Sequence, residues 1–98
     1  MKEDLLKIIN HYGVLPQLKY FQSEVFELNE AIINQDFLES DYSFSAIDRG
    51  KQHIAEEIAD VMVMLEQFRL HYDIPIEEIR KVMEYKVKRQ IGRIENEI

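Results

Sequence analysis

Apolar residues recur at intervals of three and four along most of this chain, which is the repeat of a half-buried α-helix. The pattern is cleanest near the end, where Ile76, Ile79, Met83, Val87, Ile91, Ile94 and Ile98 form one stripe. No stretch alternates apolar and polar residues long enough to predict a strand. Breakers divide the chain into four helical segments. The first spans about Lys2 to Tyr12, with Glu3 and Asp4 in its first turn, where the helix dipole favours acids. Gly13 ends it. Pro16 stands in the first turn of the second segment, which is expected to reach about Asn34. Asp36 to Ser45, with acids, serines and three aromatics, is the predicted loop. Ser45 followed by Asp48 resembles a capping box. The third segment then runs to about His71, with Gly50 blurring its start, and Ile74-Pro75 separates it from the last.

The expected fold is all-α, an antiparallel bundle of about four helices forming one domain over residues 1–98. A domain of 98 residues buries a limited share of its surface, so the bundle is expected to be completed by homo-oligomerisation, as a dimer or tetramer. Hydrophobic residues make up 46% and charged residues 32%, a globular rather than a disordered balance. Cysteine is absent, which excludes thiolate metal sites and disulfides. Met1 to Asn10 lacks the apolar core of a signal peptide, and no apolar run reaches the length of a membrane span. A soluble cytoplasmic protein without membrane partners is the expectation. The net charge of −7 argues against a nucleic-acid partner, which needs a basic surface. A nucleotide remains compatible if metal cations lie between it and the acids.

The acids carry the candidate chemistry. At about 100° per residue with Glu24 at zero, Leu28, Phe21, Ile32 and Val25 fall between about 40° and 100°. Ala31 lies near −20° and Glu27 near −60°. On the third helix, with Asp60 at zero, Met64, Glu57, Phe68, Val61 and Ile54 follow in order from about 40° to 120°. Glu57 therefore sits inside an apolar arc, and Glu24 on the margin of another. An unpaired carboxylate is costly to bury, and acids three residues apart repel. If the two helices pack antiparallel, the pairs Glu24/Glu27 and Glu57/Asp60 converge. A hard dication such as Mg²⁺ would offset the repulsion and leave coordination sites for phosphate oxygens. The competing reading is that these are solvated acids on exposed faces.

Ser23-Glu24-Val25-Phe26-Glu27 and Glu56-Glu57-Ile58-Ala59-Asp60-Val61 resemble the paired E-x-x-E and E-x-x-D motifs of the MazG-like, all-α nucleoside triphosphate pyrophosphohydrolases. The resemblance covers about Gln17 to Ile94. It implies a helical bundle completed by dimerisation and Mg²⁺-dependent conversion of a nucleoside triphosphate to monophosphate and pyrophosphate, with Mn²⁺ a possible substitute. It implies that Glu24, Glu27, Glu57 and Asp60 are the metal ligands. Many relatives carry a glutamate just before the first motif, where this chain has Ser23; Glu56 and Glu30 are the other acids nearby, and no general base is assigned.

On the last helix Lys86, Arg89 and Arg93 share a face bordering the apolar stripe. Family members commonly carry a basic residue here, and Lys86 and Arg89 match best as catalytic cations for the substrate phosphates. Lys51 is a further candidate, and snorkelling over the core edge is the plainer role for all of them. His53 reads as a solvated or core-edge residue or as a partner of a ligand. Tyr12, Tyr20, Tyr42 and Phe44 read as packing or dimer contacts, or as stacking surfaces for a base. Met62 and Met64 read as core. The alternative function is a non-catalytic helical dimerisation or nucleotide-binding module.

Overall fold

The computed structural model describes the backbone of residues 1–38 and 44–97, and the side chains of 1–35 and 48–97. Four helices follow one another: α1 (Lys2–Tyr12), α2 (Val14–Leu38), α3 (Phe44–His71) and α4 (Ile76–Glu97). No strand occurs among the described residues. The all-α expectation holds, and no described helix is long and apolar enough to cross a membrane.

Gly13 makes the first corner. Its φ of 91° lies in the left-handed region that favours glycine, and its N–H donates to the Ile9 carbonyl at 2.8 Å. α2 starts one residue later, so Pro16 sits where the first amides of a helix have no internal acceptor. The second corner is locked by Arg69. Its guanidinium donates to both Glu66 oxygens, at 2.9 and 2.7 Å, and to the Ile74 carbonyl at 2.9 Å. Asp73 turns the chain with a φ of 54°, ahead of Pro75.

α2 outruns its expected end by one turn. Asp36 to Leu38, the start of the predicted loop, are helical. No glycine or proline interrupts them, and Gln35 is buried where Gly50 leaves space for its amide. Packing against α3 therefore overrides the local signal. α3 in turn starts at Phe44, which puts Ser45 inside the helix rather than at its cap. Tyr42 lies outside the described residues, as does the Phe44 side chain.

α2 and α3 form an antiparallel pair. Gln17 meets Gln67, Phe21 stands edge-on to Phe68 at 5.8 Å, and Gln35 lies over Gly50. α2 buries Gln17, Glu24 and Ala31, which are two turns apart in succession. α1 packs across the pair and contributes Leu5 and Ile9. Met62, expected in the core with Met64, is exposed; the two lie about 200° apart on the helix, so only one can face inward.

α4 behaves differently. It buries none of its residues, and the apolar stripe predicted along it is solvent-exposed in a single copy, from Met83 to Ile94. The radius of gyration is 17.2 Å, against about 13 Å for a compact chain of this length.

Candidate metal centre

The packed helices bury few side chains, and many of those are polar. Glu24 is 5% exposed and Glu57 8% exposed. Their positions follow from the register of α2 on α3: with Gln17 opposite Gln67, seven residues along brings Glu24 opposite Asp60. Oxygens of Glu24, Glu57 and Asp60 all lie within 4.8 Å of one another. Glu27 is exposed and stands near Glu57, whose charge it opposes. The two acidic pairs thus converge as their spacing predicts, with three oxygens in the tight group and Glu27 at its rim.

Each buried acid is held above the ordinary carboxylate range. For Glu24 the main cause is burial, opposed by a hydrogen bond from the Tyr20 hydroxyl and reinforced by the charges of Asp60 and Glu27. For Glu57 burial again leads, followed by the charges of Glu27 and Asp60, while His53 pulls the other way. His53 Nε2 lies 3.9 Å from Glu57 Oε1, one turn away and largely in solvent. Tyr20 is raised in turn by the hydrogen bond it gives to Glu24.

One oxygen of Glu24 and one of Glu57, the Oε2 atoms, are fully buried without a hydrogen-bond partner. Buried carboxylate oxygens are normally satisfied, so these two unpartnered atoms, within a cluster of three acids, mark a place that could hold a cation. The donor set is all oxygen and carries up to four charges, which suits a hard dication such as Mg²⁺.

Beside the acids lies a cavity of about 610 Å³ between α1, α2 and α3. Ile8 and Tyr12 come from α1, Tyr20 and Glu24 from α2, and Asp60 and Val63 from α3. The cavity also reaches Gln17 and Gln67, which sequence reasoning passed over. The signal was present: Gln17 precedes Glu24 by seven residues and Gln67 follows Asp60 by seven, the same faces two turns on.

The predicted cations are elsewhere in a single copy. Lys86 and Arg89 are exposed on α4, with Lys86 beside Val82 and Met83 and the Arg89 guanidinium 5.7 Å from the Tyr85 ring. Arg93 donates to Gln90 at 3.5 Å. Lys51, Glu30, Glu56 and Ser23 are exposed on the two acid-bearing helices. No family model, curated protein or solved structure matches the chain.

Proposed function

We propose that this chain is a MazG-like hydrolase that converts a nucleoside triphosphate to monophosphate and pyrophosphate with Mg²⁺, or Mn²⁺ in its place. The observation that supports it most is the cluster of Glu24, Glu57 and Asp60, with a buried, unpartnered oxygen on each glutamate, beside a cavity of nucleotide size that Glu24 and Asp60 line. Glu24, Glu57 and Asp60 would hold the metal, with Glu27 joining from the rim. Bound there, Mg²⁺ supplies charge neutralisation for the phosphates and a water of lowered pKa. Tyr20, whose hydroxyl acts on the Glu24 carboxylate, would help to orient it. The walls of α1 exclude bulk water from one side of the reacting phosphate, which strengthens every charge interaction inside.

Lys86 and Arg89 remain the proposed cations for the equatorial phosphate oxygens. Because α4 buries nothing within its own copy, they are assigned to an assembled homodimer or homotetramer, in which the apolar stripe is covered by another copy. The deciding experiment is pyrophosphate release from the common ribo- and deoxyribonucleoside triphosphates. Release that chelator abolishes and Mg²⁺ restores is expected. A protein that releases none with Mg²⁺ or Mn²⁺ is not this enzyme.

A further inference from the structure

Gln17 and Gln67 are buried polar side chains that the acidic centre does not use. They are 8% and 1% exposed, and both line the cavity. Gln17 Nε2 donates to Gln67 Oε1 at 2.8 Å and approaches the Met64 sulfur at 4.0 Å. Gln67 Nε2 lies 3.7 Å from the same sulfur. A thioether is a weak acceptor. The hydrogens of Gln67 Nε2 therefore meet nothing stronger than sulfur, and among the described residues Gln17 Oε1 accepts no hydrogen bond. One donor and one acceptor are thus left without a strong partner on two side chains that line the cavity. A bundle that needed only packing here would do as well with two apolar residues, which is nearly neutral or better for stability.

The placement says what fits. On antiparallel helices, seven residues back from Glu24 and seven on from Asp60 lead the same way, about 10 Å from the acids. That is close to the span from the far edge of a nucleobase to the phosphorus on its sugar. A nucleobase also presents a donor beside an acceptor on its pairing edge, the complement of a Gln17 oxygen without a donor and a Gln67 N–H held only by sulfur. Tyr12 and Tyr20 line the intervening space with ring surface on which a base can stack.

We propose that the Gln17–Gln67 amide pair reads the heterocycle of the bound nucleotide, and so sets which base the site accepts. The assignment rests on the acidic end being the phosphate end. Sites that read a ligand by hydrogen bonds discriminate far more sharply than apolar slots, so the pair is the natural seat of base preference.

The test follows the glutamine side-chain amides by NMR in metal-free protein, titrated with the common nucleosides, which carry no phosphate. The preferred nucleoside should shift the Gln17 and Gln67 amides selectively. Gln67→Met and Gln17→Met should each weaken its binding by about tenfold or more and compress the ranking of bases, while tripolyphosphate binding with Mg²⁺ stays as in the wild type. Nucleosides that leave both amides unmoved, or variants that keep the wild-type ranking, overturn the proposal. If a buried substitution unfolds the chain, the wild-type shifts decide alone. Turnover plays no part in this readout. Absent pyrophosphate release would therefore sink the hydrolase reading while amide shifts still stood, and release without shifts would sink only the base-reading pair.

Discussion

Glu57 concentrates the conflict between folding and chemistry in one side chain. Without metal it is buried, faces the charges of Glu27 and Asp60, and has one oxygen with no partner. Glu57→Gln keeps the shape and removes the charge. In chelator the variant should melt above the wild type, because the repulsion and the desolvation of the charged form are relieved. With Mg²⁺ the order should reverse, since only the wild type gains the full binding energy. Outer partners of metal ligands already cost about 10–100-fold when lost, so turnover of this variant should fall by about a hundredfold or more. Melting curves with chelator and with Mg²⁺, beside a pyrophosphate assay, check both parts. Equal stabilisation of the two proteins by Mg²⁺ would remove Glu57 from the ligand set.

The same two acids set a pH dependence. Glu24 and Glu57 are raised above their unfolded value of 4.5, so their protonated forms favour the fold. That stability is fully present below about pH 4.5 and is lost as pH rises through the folded values. Glu66, lowered by its Arg69 pair, has the opposite sign, but its loss falls below 4.5 and outside this window. In chelator the melting temperature should therefore decline as pH rises above about 4.5 more steeply for the wild type than for Glu24→Gln/Glu57→Gln. Parallel slopes would show that the acids are ionised at no cost to the fold.

At the scale of the element, Gly50 is a helical glycine with the end of the buried Gln35 side chain lying over it. An interior Gly→Ala change ordinarily gains about 0.5–1 kcal/mol. Here a Cβ would overlap the buried Gln35 amide, so Gly50→Ala should gain nothing or lose stability. In a Gln35→Ala background the same change should recover the ordinary gain. A denaturant-melt cycle over the four proteins reads this coupling, and additivity would dissolve it. Helix existence was legible in the sequence because the apolar period is long and unbroken; α1 and the end of α3 fall where Gly13 and His71 placed them. The end of α2 was not, because Gln35 looks like any polar residue until Gly50 opposes it. The acidic pairs were legible because an i,i+3 repeat fixes a face. The glutamine pair was not legible, since an amide carries no charge whose burial demands an explanation.

The whole molecule is a packed unit of three helices with a fourth that stands apart. Burying the α4 stripe in a second copy would account for its exposure in one. Sedimentation at micromolar concentration should give a species heavier than 11.7 kDa. Val87→Lys with Ile91→Lys should shift it toward that mass and lower turnover in parallel. Lys86→Ala and Arg89→Ala should lower turnover while leaving mass and Mg²⁺ binding unchanged, because their contact is with phosphate. Full activity in both would return the basic face to a solvating role.

The exposure of α4 also bears on how the protein behaves when dilute. A helix of 22 residues that buries no side chain is marginal in water, since most helical stability in proteins comes from a packed face. Its amides in a lone copy should exchange with deuterium far faster than those of α2 and α3, and the ratio should close as concentration rises. Dilution would then act on this chain as partial unfolding confined to one element, and a protease would find its first cut there. The last quarter of the sequence would thus report how crowded the protein is with its own kind.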